Sequence, residues 1–137
     1  MHHAETITVR TQGRGSEPIT DAVRSVVSES GVEVGLCSVF IHHTSASLVI
    51  TENADPDVRG DLDGYLSRLV PDGDPHYRHT AEGPDDMSAH VRSALTLTSV
   101  TIPVRNGRPD LGTWQGVFVL EHRTSPHQRR ITISVVG

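Results

Sequence analysis

Residues 34–51 read VGLCSVFIHHTSASLVIT. The first ten of these are β-rich and apolar on both sides: Val34, Leu36, Phe40 and His42 share one face, and Cys37, Val39, Ile41 and His43 the other. Thr44 and Ser45 interrupt the run, and residues 46–51 resume it as a second strand predicted to lie beside the first. Towards the N-terminus, residues 5–11 alternate as a strand and Gly13–Gly15 break it. Pro18 then introduces a helix with Ile19, Ala22, Val23, Val26 and Val27 on one face, ended by Gly31. Towards the C-terminus, Asp55-Pro56 opens a second helix, Asp55 as cap and Pro56 in the first turn. Its predicted buried stripe is Val58, Leu62, Tyr65, Leu66 and Leu69. Residues 71–84 form a polar loop long enough to suggest a functional or mobile segment. Asp85 or Asp86 caps a third helix, expected to turn Met87, Val91, Ala94 and Leu95 inward. Strands follow over 99–104, 114–122 and 129–136, with Asn106-Gly107 as a hairpin turn. The expectation is a single α+β domain over 1–137, with mixed or antiparallel sheets, six or seven strands and about three helices.

A chain of 137 residues is one domain by length and can bury one core. All 12 basic residues are arginine. Without a lysine amine there is no Schiff-base chemistry and no Walker A phosphate loop. One cysteine, Cys37, excludes an internal disulfide and a C-x-x-C pair. A net charge of −5 argues against nucleic acid as a partner. No apolar run suggests a membrane span or a secretory segment, so a cytoplasmic protein is expected. Acidic residues crowd 52–86 and arginines crowd 105–130, a split compatible with a metal edge and an anion edge.

Histidine is the compositional oddity, with nine in the chain. Four stand at expected element ends, where side chains from distant segments converge: His43, His79, His90 and His122. Convergence of three of them gives an open site that suits zinc. His42 and His43 are adjacent in a strand and point to opposite faces, and His43 leads directly into Thr44-Ser45. Asp86 shares a helix face with His90, placing it as an orienting partner or a base. Asp85-Asp86 reads equally as a helix cap worth about 1 kcal/mol. The hydroxyls of 43–47, HTSAS, suit phosphate oxygens. Arg123, Arg129 and Arg130 are bidentate phosphate binders or solvated charges. Cys37, in an apolar strand, reads as inert packing, and Trp114 as core or subunit interface.

Four separated runs then carry a resemblance: HHTSASLVITENADPDVRGDL (42–62), YRHTAEGPDDMSAHVRSAL (77–95), IPVRNGRPDLGTWQGVFVLEHR (102–123) and RRITISVVG (129–137). They resemble the YjbQ-like family, often labelled secondary thiamine-phosphate synthase enzymes, nearly end to end. His43, Thr44 and Ser45 match its HTSA motif, and His79 its Y-x-H motif. Asp85, Asp86 and His90 match DDMPxH, with Ser88 where proline is usual. Gly112, Thr113, Trp114 and Gln115 match GTWQG, and Glu121, His122 and Arg123 match EHR. Ala54 stands where relatives can carry cysteine.

The resemblance implies a compact α+β subunit, a homotrimer and a histidine pocket near subunit contacts. It also implies a metal and weak thiamine-phosphate synthase activity, which joins a pyrimidine diphosphate to a thiazole phosphate and releases pyrophosphate. Residues and resemblance together lead to an expected assignment. His79, His90 and His122 hold a divalent metal, zinc being the expected ion. His43 and Asp86 are catalytic, His43 as acid–base group or fourth ligand. Thr44, Ser45 and Arg123 contact the phosphate of a small-molecule substrate. Two rival readings are a non-enzymatic homotrimeric module binding metal or phospho-metabolite, and a metal-dependent phosphoester hydrolase.

Overall fold

The computed structural model describes residues 1–137. Eight strands and three helices follow in the order β1 (His2–Arg10), β2 (Gly15–Pro18), α1 (Thr20–Ser30), β3 (Val34–Ile41), β4 (Ala46–Glu52), α2 (Pro56–Leu69), α3 (Asp86–Leu95), β5 (Ser99–Arg105), β6 (Arg108–Pro109), β7 (Gln115–Glu121) and β8 (Gln128–Val136). All strand pairs are antiparallel. One sheet has the order β1-β8-β3-β5-β6, the other β2-β7-β4. The α+β class and the three helices are as the sequence indicates. Strands β2 and β6 are additions, too short for alternation to reveal.

The two sheets face each other across the core. Cys37, Val39, Ile41, Ile102, Ile131, Ile133 and Val135 from the larger sheet meet Ala46, Leu48, Val117 and Val119 from the smaller. Val23, Val26 and Val27 of α1 close the core. Gly31 ends α1 in the left-handed region at φ 72°, where a β-carbon is costly. The β5–β6 turn has Asn106 and Gly107 both at positive φ, the geometry such a hairpin needs.

Three expectations are corrected. First, β3 and β4 do not pair: β3 lies between β8 and β5, and β4 pairs with β7 in the other sheet. The four residues between them, His42 to Ser45, therefore cross from one sheet to the other. Second, α2 has no buried residue. Asp55 caps it as expected, accepting from the Asp57 amide, and Arg59 lies over the Phe118 ring at 4.9 Å. Leu62, Tyr65 and Leu69 face outward. Third, α3 turns a polar face inward: Asp86, Ser88, Ala89 and Arg92 are buried, and Leu95 is exposed. Each buried polar residue there has a protein partner: Arg123 for Asp86, Asp72 for Ser88, and the Val70 carbonyl for Arg92.

Candidate functional site

The N-terminus of α3 organises the site. Asp85 does not cap the helix with its side chain. It accepts from Arg123 Nε at 3.0 Å and from the Thr124 amide at 2.9 Å. Burial pushes its pKa up, but these bonds outweigh burial and hold the carboxyl well below its ordinary value. Asp86, one residue on, is buried and shares the Arg123 guanidinium with Asp85. Its Oδ1 meets Arg123 Nη1 at 2.9 Å. Its Oδ2 meets His79 Nε2 at 2.5 Å and His90 Nε2 at 3.2 Å. Burial again raises the pKa, and the His79 bond with the charges of His90 and Arg123 more than reverses it. Asp86 is therefore an anion at neutral pH.

His79 arrives from the loop before α3. That loop is closed at its base, where the Gly73 amide donates to the Pro84 carbonyl at 3.0 Å. Asp72 is held by both terminal nitrogens of Arg14, at 2.9 and 3.0 Å, and accepts from the Ser88 hydroxyl. Ser88 thus ties helix to loop. His79, Asp86 and His90 form one cluster, their ligand atoms all within 4.8 Å of one another. The two rings stand edge to face, centroids 5.3 Å apart.

The sheet-crossing segment forms the other wall. Thr44 offers its carbonyl to His90 Nδ1 at 2.9 Å. His43, Thr44, Ser45 and His90 line a cleft of about 630 Å³, together with Phe40, Ser93 and Thr98. The cleft therefore joins the HTS segment to the α3 cluster. Burial and the nearby Arg129 and Arg130 charges push the His43 pKa down.

His122 and Arg123 lie elsewhere than expected. His122 is 2 % exposed and does not belong to the His79–Asp86–His90 cluster. Its Nε2 bonds to Ser47 Oγ at 2.8 Å, and Ser47 in turn accepts from Thr96 at 2.5 Å. Burial lowers its pKa to about 4. Asp86 occupies the third place in the cluster that the sequence reading gave to His122. Arg123 commits its side-chain nitrogens to Asp85, Asp86 and the Glu82 carbonyl, so it positions the acidic pair instead of facing the cleft. Sequence reasoning also missed a buried pair: Arg129 grips Glu121 through Nε at 2.8 Å and Nη2 at 2.5 Å. The signal was present, since Arg129 keeps the core-facing register of Ile131, Ile133 and Val135. Cys37 is fully buried and its thiol is pushed up to about 11, which makes it inert. Trp114 is exposed.

Comparison with known proteins agrees with this architecture. The family model described as UPF0047 protein YjbQ-like matches residues 5–137. A UPF0047 protein of Synechocystis is 54 % identical over 135 residues, covering 98 % of this chain and 92 % of the relative. The UPF0047 protein YjbQ of Escherichia coli O157:H7 is 39 % identical, covering 100 % of this chain and 99 % of its own. The crystal structure of a YjbQ/UPF0047 family protein from Clostridium acetobutylicum superposes with a TM-score of 0.89 at 34 % identity, covering 96 % of this chain and 99 % of that one. The match runs through both sheets, all three helices and the site between them, and the chain belongs to the YjbQ/UPF0047 family.

Proposed function

We propose that the protein is a metal-assisted enzyme acting on phosphorylated small molecules, with zinc held by His79, Asp86 and His90. The observation that carries this is the orientation of His90. Its Nδ1–H donates to the Thr44 carbonyl, which leaves Nε2 as the ring nitrogen aimed at the ionised Asp86 Oδ2, 3.2 Å away. A proton or a metal cation can occupy that position between Nε2 and Oδ2, and the metal takes it when the ring gives up the Nε2 proton. Around zinc, ligand atoms at about 2.0–2.1 Å from the ion stand roughly 3.3 Å apart in a tetrahedral arrangement. The Asp86–His90 spacing meets this, and the 2.5 Å His79–Asp86 contact has to lengthen. Two imidazoles and one carboxylate leave a coordination position open. Acid therefore competes with metal for His90 Nε2.

The family resemblance supplies the reaction class: joining a pyrimidine diphosphate to a thiazole phosphate, with release of pyrophosphate. A metal held by His79, Asp86 and His90 would supply positive charge for the leaving pyrophosphate. Thr44 and Ser45 offer hydroxyls to phosphate oxygens from the cleft wall. Arg123 holds Asp86 in the ligand orientation, and the Thr44 carbonyl does the same for His90. The chain works in the cytoplasm as a homotrimer in this reading. No helix is long and apolar enough to cross a membrane, and the outward Leu62, Tyr65 and Leu69 of α2 favour a subunit contact.

The test is protein purified without histidine-affinity resin, assayed for metal and then for pyrophosphate release from the two substrates. Zinc-dependent release that stops with chelator and returns with zinc supports the proposal. Orthophosphate release from simple esters supports the hydrolase instead, and saturable binding without turnover supports the binding module.

A further inference from the structure

His43 has an unusual hydrogen-bonding position. The backbone N–H of Arg130 donates to its Nε2 at 2.8 Å. Nε2 must therefore carry the lone pair, and the proton of the neutral ring sits on Nδ1. Nδ1 lies 3.5 Å from Nη1 of Arg129. A guanidinium has no acceptor, so these are two donors facing each other without a hydrogen bond between them. Protonating the ring does not resolve this, because Nε2 then loses its capacity to accept from Arg130. Removing the Nδ1 proton is no remedy either, since it leaves an imidazolate.

Arg129 cannot swing away to relieve the pairing. Its Nε and Nη2 are fixed on the two oxygens of Glu121, and Nη2 also reaches the Ser45 carbonyl at 3.2 Å. The side chain is 4 % exposed, and the Glu121 carboxylate is fully enclosed. Glu121 is held in turn by the Thr11 hydroxyl at 2.7 Å and by the Arg123 amide at 3.0 Å. Nη1 is the one terminal nitrogen of Arg129 with no oxygen partner in the protein. His43 lines the cleft beside the hydroxyl-bearing Thr44 and Ser45.

We propose that His43 Nδ1–H, on the cleft wall, and the neighbouring Arg129 Nη1 together form an anion seat, taking one oxygen of a substrate phosphate. An oxygen acceptor satisfies both donors at once, which no protein group does. The seat rests on the reading that the cleft takes a phosphorylated substrate, and it says which residues hold the phosphate. It also assigns His43 a role other than ligand or general base: Nε2 is covered by the Arg130 amide, and Nδ1 already carries its proton. The lowered pKa of His43 is consistent with a ring kept neutral beside fixed positive charge. Arg129, and not Arg123, is then the arginine that meets the anion.

The experiment uses full-length protein stripped of metal by chelator, with inorganic phosphate as the probe. Nitrogen-15 NMR of the histidine side chains reads the tautomer of His43 directly in the wild-type protein. The expected result is a neutral Nδ1–H ring whose Nδ1 resonance moves as phosphate saturates. A charge-assisted hydrogen bond of the usual strength makes His43→Phe weaken phosphate binding by about tenfold to a hundredfold. His43→Asn keeps an N–H near the Nδ1 position and is expected to retain most of the affinity. A ring protonated on Nε2, or phosphate that saturates without moving the His43 resonances, overturns the seat. Equal loss in the Asn and Phe variants, with both folded by circular dichroism, overturns it too. Zinc binding is measured separately on the same samples. Zinc bound with His43 indifferent to phosphate refutes the seat alone, and His43 responding to phosphate without zinc binding refutes the metal proposal alone.

Discussion

Replacing Arg129 by Met probes the most deeply buried charge pair in the fold. Arg129 donates twice to Glu121, at 2.8 and 2.5 Å, and both side chains are nearly sealed from water, at 4 % and 0 % exposure. Methionine fits the aliphatic part of the space but leaves the carboxylate with only the Thr11 hydroxyl and the Arg123 amide. Breaking a buried pair by removing one partner costs about 3–5 kcal/mol. That is a large share of the roughly 5–15 kcal/mol that holds a domain folded. The pH dependence gives a second reading. Burial alone raises the Glu121 pKa, but Arg129, Thr11 and the Arg123 amide overcome it and hold the value below the ordinary 4.5. A depressed carboxylate contributes stability that is present above pH 4.5 and lost as pH falls further. In Arg129→Met burial dominates, the pKa rises above the unfolded value, and stability increases as pH falls towards 4.5 and levels off below it. The double variant Arg129→Met, Glu121→Gln is expected to recover more than half of the loss, since no charge remains buried. Urea unfolding followed by far-ultraviolet circular dichroism, at fixed protein concentration, measures all of these. A loss below about 1 kcal/mol in the single variant, or no recovery in the double, refutes the reasoning.

Three further outcomes follow from the same geometry. His122 has its pKa lowered by burial from 6.5 to about 4, so the unfolded chain takes up a proton that the folded chain refuses between those values. Unfolding free energy is expected to fall by about 2–3 kcal/mol as pH drops from 6.5 to 4, and that slope should disappear in His122→Asn. Arg123→Gln removes the ion pairs that orient Asp85 and Asp86, and zinc affinity measured by competitive chelation is expected to fall about 10–100-fold. Leu62→Ser with Tyr65→Ser replaces two outward apolar residues of α2, and sedimentation velocity is expected to show a trimer for wild type, as proposed, and its dissociation toward monomer in the variant; a variant that stays trimeric takes α2 out of the contact, and a monomeric wild type refutes the proposed trimer.

The sequence was legible where local physics decides the outcome. Alternation located β1, β5, β7 and β8, and Gly31, Asp55-Pro56 and Asn106-Gly107 marked element ends with their specific backbone and capping chemistry. It was illegible where a distant partner decides. Both faces of 34–41 are apolar, and nothing in that run says the chain changes sheets at His42 to Ser45. Helical periodicity in α2 is real, but periodicity does not distinguish a core from an outer contact. In the site, His79 and His90 converge as element-end histidines, and the four-residue spacing put Asp86 beside His90. His122 misled because its ring turns inward to Ser47. Arg123 misled because its partners, Glu82, Asp85 and Asp86, reach it only through the fold.

The central claim is that His79, Asp86 and His90 hold one metal ion without His122. Zinc stoichiometry by mass spectrometry, after equilibration with a weak chelator at neutral pH, tests it on four proteins: wild type, Asp86→Asn, His90→Ala and His122→Ala. Wild type and folded His122→Ala are expected to hold one zinc per chain, and Asp86→Asn and His90→Ala to lose it. Zinc retained in His90→Ala, or no zinc in wild type, contradicts it.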